Sequence, residues 1–171
     1  MSKEKINSDL LNKRNKKVII HDTIYSNNKV FNNNYKGKTE TNFPDDYGRP
    51  DKSLVEWAFN QTQTTYTLDE VQRIFNYFFF KFYQSKNKKH PYVSGWKFKG
   101  FIEDLDCCFD HSGNFIAIEF FEYEAIIDYY FENLHKFKGN AYGECDHSIF
   151  HFMSVRENCH WATIRNFGLD D

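Results

Sequence analysis

What this 171-residue sequence lacks does much to define it. No apolar run approaches the roughly 20 residues that span a bilayer, and the N-terminus has no apolar stretch of the kind a secretory signal carries. A cytoplasmic chain with no membrane partner is therefore expected. GxxxxGKS/T and GxGxxG are absent, so no glycine loop is laid out to cradle phosphates, and no GxSxG presents a hydrolase serine. There is no internal repeat and no long linker rich in Pro, Gly or Ser. In a chain of this size without an export signal, the four cysteines (Cys107, Cys108, Cys145, Cys159) read as reduced thiols and not as a disulfide framework.

Charge of one sign is missing from two adjacent stretches. Residues 71–102 contain no acid but carry Arg73, Lys81, Lys86, Lys88, Lys89, Lys97 and Lys99, whereas residues 103–135 contain no Lys or Arg and carry nine acids. A formal net charge of −2 thus conceals a dipolar chain whose two blocks could attract partners or each other.

What is present points to one core, since 40% of residues are apolar and 28 of the 33 aromatics lie beyond residue 54. Residues 1–50 hold nine Asn, ten Lys/Arg and a single short apolar run, Val18-Ile19-Ile20, too little to offset the entropy of ordering. They read as a disordered or extended N-terminal arm preceding a single globular domain over residues 51–171, with the turn-rich residues 42–50 at the boundary. Within the domain, residues 52–60 make a short helix. Thr67-Leu68-Asp69-Glu70 matches a capping box, and Val71, Ile74, Phe75, Phe78, Phe79 and Phe82 follow at helical spacing, so a central, enclosed helix starts there.

Ser94 can cap a further helix striped by Phe98, Phe101, Ile102, Leu105 and Phe109, although Trp96 to Lys99 also fits the period of a strand. Residues 110–114 are a turn, and residues 115–121 suit either a strand or the start of the next helix. Residues 123–137 read as an amphipathic helix, and Asp146 or Ser148 caps a last one. The fold class that follows is mainly α, a compact helical domain. The runner-up is α+β with a small hairpin near residues 96–120.

Three groups of residues are candidates for a site. Lys86, Lys88, Lys89, Tyr92, Trp96, Lys97 and Lys99 interleave base with rings around Pro91, which suits phosphates and stacked bases. Glu124, Asp128 and Glu132, at i, i+4 and i+8, would line one exposed helical stripe that could imitate a phosphate row before a basic protein. Cys145, His147 and His151 are the residue types that zinc accepts, with the two histidines on one helical face, but the spacing matches neither CxxC nor HExxH. No cofactor is the main expectation, and zinc is the one that the residues would admit. A cysteine nucleophile would need a base beside it and a depressed pKa, which Cys159-His160 or Cys107 with His111 could supply only through folding. The reading leans away from an enzyme.

His90-Pro91-Tyr92-Val93-Ser94, Ile127-Asp128-Tyr129-Tyr130-Phe131 and the run from Glu144 to Met153 resemble segments that occur in the same order in small helical proteins of low-GC Gram-positive phages, plasmids and integrative elements. The resemblance covers about residues 68–155. It implies a mobile-element setting, and a structural joint formed by Cys145, Asp146, Ile149, His151 and Phe152. It attaches no activity. The leading expectation is a non-enzymatic interaction protein, an accessory or inhibitory factor that docks on a host or replication protein through a charged face. The alternative is a nucleic-acid-binding protein that uses residues 86–99 and the N-terminal arm.

Overall fold

Each helix begins where a side chain can satisfy the free amides of its first turn. In the computed structural model, which describes residues 43, 44, 46–109, 112–139 and 143–166, the Asp51 carboxylate accepts from Ser53 N at 2.9 Å and opens α1 (Lys52–Asn60). The side chains of Cys107 and of residues 164–166 lie outside that description. At the head of α2 (Leu68–Lys86) the capping box forms in both directions, Glu70 N to Thr67 Oγ1 at 3.2 Å and Thr67 N to Glu70 Oε2 at 2.8 Å. Ser94 Oγ accepts from Lys97 N and starts α3 (Gly95–Leu105). There the helical period wins over the strand period, because Phe98, Phe101, Ile102 and Leu105 are all buried.

A two-stranded antiparallel hairpin follows, β1 (Cys107–Phe109) with β2 (Phe115–Ala117), paired Cys107 to Ala117, Cys108 to Ile116 and Phe109 to Phe115. Phe109 therefore does not continue the stripe of α3. It lies on the hairpin, exposed, with its ring 4.5 Å from Phe115. Residues 115–121 resolve into a strand and then a helix, since Phe120 already begins α4 (Phe120–Glu132), three residues earlier than the apolar pattern indicated. That helix closes sooner than expected, into a 3-10 turn at Leu134–Lys136. The last helix, α5 (Ile149–Asn166), accepts its first bond at the Ser148 carbonyl, and Asp146 Oδ1 receives Ser148 N at 2.9 Å just before it.

The fold is mainly α, as expected, with the hairpin as its one small sheet among the described residues. Helices α1 and α3 pack as one pair and α4 and α5 as another, and α2 lies between them. One side of α2 meets α3 where Phe98 stands 5.1 Å from Phe75 and 6.3 Å from Phe79, ring centre to ring centre. Its other side meets α4 and α5 where Phe78 stands 5.1 Å from Phe131 and 4.9 Å from Phe152. Val71, Ile74, Phe75, Phe78, Phe79 and Phe82 are all buried, as their spacing demands. Asp106 ties the end of α3 to the loop before α2, accepting from Thr64 Oγ1 at 2.9 Å and Thr65 N at 3.1 Å.

Part of the segment before residue 51 packs on the helices. Residues 1–42 of the expected arm lie outside the described residues, but the part that is described packs on α2. Tyr47 is fully buried, and Phe43 stacks on Phe80 at 4.3 Å. Tyr47 thus belongs to the core and Phe43 packs against it, supplying apolar surface that composition averaged over fifty residues conceals. No helix among the described residues is long and apolar enough to cross a membrane.

Candidate functional site

The basic segment is held by two buried anchors with exposed residues between them. Asn87 ends α2 in the left-handed conformation (φ 53°), the turn that lets the chain leave the helix. His90 and Val93 then point inward and are buried, whereas Tyr92 between them is 77% exposed. In the first turn of α3, Trp96 is 70% exposed, and its ring meets Trp57 of α1 edge to face at 5.1 Å. Gly95 makes this contact possible, because a Cβ there would fall 2.9 Å from Trp57 Cε3. Lys97 reaches toward the partly exposed Phe150 ring of α5, 5.9 Å from its centre.

Two of the expected basic residues are otherwise engaged. Lys86 Nζ donates to His147 Nδ1 at 2.6 Å, and Lys99 pairs with Glu103 at 2.7 Å. Lys88, Lys89 and Lys97 are exposed, and no carboxylate among the described residues lies within ion-pair distance of them. Trp57 and Phe150 were not singled out by sequence reasoning, although the small Gly95 beside Trp96 was a usable signal of close approach by another ring.

Gly95→Ala gains helix propensity but drives the new methyl into Trp57. The two effects oppose, so the unfolding free energy is expected to change by less than about 1 kcal/mol. Near-ultraviolet circular dichroism of the coupled indoles should change clearly, because the Trp57 ring must move.

The acidic group does not form the exposed stripe expected of it. Glu124 is only 5% exposed, and Asp128 sits between Lys81 Nζ at 3.2 Å and the Tyr77 hydroxyl, which donates to it at 2.5 Å. Glu132 alone of the three is open to solvent. The reason is that α4 packs against both α2 and α5, which leaves it no free face along that row. Burial, then the adjacent Asp128 carboxylate, push the Tyr77 phenol upward, so it stays a donor. The charge blocks thus cancel in part, through Lys81 with Asp128 between helices and Lys99 with Glu103 along the surface of α3.

Cys145, Asp146 and His151 do come together, around an open recess of about 370 Å³ bounded on its other side by Lys138 and Gly139. His147 departs from expectation, because it precedes α5 in a left-handed conformation (φ 54°) instead of sharing a helical face with His151. Its ring still lies 6.1 Å from that of His151. The Phe137 carbonyl, 2.7 Å from His147 Nε2, can only accept, so the proton sits on Nε2 and Nδ1 accepts from Lys86. His151 Nδ1 faces the Tyr130 hydroxyl at 2.8 Å. Burial, then the neighbouring His147, lower the His151 pKa.

Both nitrogens of His147 are thereby used, and among the described residues no three His, Cys, Asp or Glu side chains converge as a metal ligand set. For Cys159, burial pushes the thiol up to about 12, the reverse of what an activated nucleophile needs. His111 lies outside the described residues.

No family model, curated protein or solved structure matches the chain, so the arrangement of its own residues carries the functional argument.

Proposed function

We propose that this chain is a non-enzymatic binding protein that acts by occupying an anionic partner through the surface formed by Trp57, Tyr92, Trp96, Lys88, Lys89 and Lys97. A mobile-element accessory role in the cytoplasm is the setting we infer from the resemblance at the His-Pro loop and the Cys145 to Met153 run. The observation that carries the reading is the outward display of Tyr92 and Trp96 beside three lysines that have no carboxylate partner among the described residues. Large rings displayed to water contribute less to the fold than buried ones, and rings with neighbouring cations are the groups that dominate binding surfaces. The geometry gives less support to docking on a basic protein, because only Glu132 of the acidic row is free to face one.

Retention on heparin-agarose tests the proposal. The full chain should bind at about 50 mM salt and elute as salt rises, because exposed cations are screened. Lys88→Gln, Lys89→Gln and Lys97→Gln combined should elute at clearly lower salt, with an unchanged circular dichroism spectrum. Flow-through of the wild type at low salt, or an unchanged elution position for the triple variant, overturns the proposal. The second outcome would assign retention to basic residues elsewhere in the chain.

A further inference from the structure

We propose that the anionic partner is single-stranded nucleic acid, with bases stacked on Tyr92 and Trp96 and phosphates held by Lys88, Lys89 and Lys97; this deepens the functional reading above and rests on it.

The first support is how the rings are presented. Tyr92 follows Pro91, whose ring fixes the local backbone, and stands between two buried anchors, Val93 and His90. His90 is tied at both nitrogens, Nδ1 to the Pro91 carbonyl at 2.7 Å and Nε2 accepting from Ile149 N at 2.9 Å. A phenol on such a support loses little freedom when a base stacks on it. Trp96 is held in turn by its contact with Trp57. In an edge-to-face pair, the ring that offers its edge keeps both of its own faces free of that contact, so an indole face remains for a ligand.

The second support is charge. The lysines flank the rings along the chain, two before Tyr92 and one after Trp96, in the alternation of cation and ring that a strand of phosphates and bases would meet. The acids of α1 and α3 are largely taken. Asp51 caps α1, Glu103 pairs with Lys99 and Asp104 lies beside Arg156, which leaves Glu56, one helical turn from Lys52. Lys97 also lies in the first turn of α3, at the end of the helix whose dipole attracts anions.

Stacking decides between nucleic-acid forms. Bases inside a duplex are already stacked on one another and present no face to a protein ring, whereas unpaired bases do. An acidic polypeptide could pair with the lysines but has no regular ring to place on Tyr92 and Trp96.

The test uses the full chain, with fluorescence anisotropy of a labelled oligothymidylate of about 15 nucleotides, a duplex of the same length, and polyglutamate as the acidic-polypeptide probe. The single strand should bind at least about tenfold more tightly than the duplex, with indole emission quenched on binding. Tyr92→Ala and Trp96→Ala should each weaken it by about 5- to 100-fold. The combined glutamine variant at Lys88, Lys89 and Lys97 should reduce the slope of log K against log salt by about 2, three phosphates at about 0.7 each. Both rings are exposed, so these variants test binding without testing folding.

Equal binding of duplex and single strand, or affinity unchanged in both ring variants, overturns the proposal. Polyglutamate bound more tightly than the oligothymidylate also overturns it and points to an acidic protein. In either case, heparin retention that still depends on the three lysines leaves the broader functional reading standing.

Discussion

Replacing His90 by alanine should lower the unfolding free energy by about 3 kcal/mol, as the sum of lost packing and a lost helix cap. The imidazole stacks on Phe79 at 4.3 Å and meets the Phe82 ring at 4.8 Å, and its Nε2 accepts the amide of Ile149, the first residue of α5. A histidine from the α2–α3 loop thus serves as the acceptor at the head of a helix 59 residues away. His90→Gln can return an acceptor near that amide but not the ring, and should recover part of the loss. His90→Phe keeps the ring and leaves the Ile149 amide unanswered, which costs about 1–3 kcal/mol. Urea titration of the three variants separates the two contributions.

The same contacts give His90 a pH signature. Burial lowers its pKa, against the opposing pull of the Pro91 carbonyl and of Asp146. The neutral ring is required, because a protonated Nε2 would point a hydrogen at the Ile149 N–H. In the unfolded chain the ring takes up a proton near pH 6.5, so this stability is complete above that pH. It is lost as pH falls toward the lower folded-state pKa, at no more than about 1.4 kcal/mol per pH unit. His151, also lowered by burial and by His147, acts with the same sign. Asp146, whose desolvation is outweighed only by its Ser148 hydrogen bonds together with the nearby His90 and His151, is depressed and loses its contribution only at pH values below those of an ordinary carboxylate. Between pH 7 and 5 the wild type should therefore lose more stability than His90→Phe. Equal loss in the two proteins would exclude His90 as the titrating group.

The helices were legible wherever one face is apolar and a cap precedes it. Thr67 with Glu70, Ser94, and the buried positions of α2 and α3 follow from local spacing alone. Misreadings arose where a tertiary contact chose between two local options. Phe109 continues the period of α3, yet the pairing of Phe109 with Phe115 takes it into a hairpin. Residues 43–50 have the composition of a linker, yet Tyr47 and Phe43 find Phe80 on α2. His147 lies four residues before His151, as two helical ligands would, but the left-handed turn at His147 breaks that geometry.

The candidate surface was legible in part. Tyr92, Trp96, Lys88, Lys89 and Lys97 stood out as rings among cations, and the fold leaves them exposed. Sequence could not reveal that Lys86 and Lys99 would be engaged elsewhere, nor that Glu124 would face inward, because those outcomes depend on which helix lies opposite. The charge blocks are split by position: the lysines of α2 and α3 that meet α4 or an acid one turn away are neutralised, and those in the loop and at the start of α3 are not. Trp57 joins the surface only because α1 packs on α3.

Phe78→Ala should be the most damaging substitution in the core, lowering the unfolding free energy by about 4 kcal/mol. The ring is fully buried and touches the side chains that join α2 to the other half of the molecule, with Phe152 at 4.9 Å, Phe131 at 5.1 Å and Tyr130 at 6.2 Å. Removing it costs the transfer of a phenyl group from water and leaves a cavity that three rings on two other helices cannot fill without shifting together. Phe78→Leu, which retains most of the volume, should lose much less. Phe78→Ala combined with Phe152→Ala should cost less than the sum of the single changes, because both delete the same contact. Binding gives a further readout. Trp96 and Trp57 rest on α3 and α1, which are seated on α2 through Phe98, Phe75 and Phe79, a different set of rings. At low temperature, where Phe78→Ala remains folded, its affinity for a single-stranded oligonucleotide should therefore match that of the wild type, whereas Phe98→Ala should weaken both stability and binding. An affinity lost equally in the two variants would mean that the surface depends on the packing of α4 and α5 as well as on the α1–α3 pair that carries it.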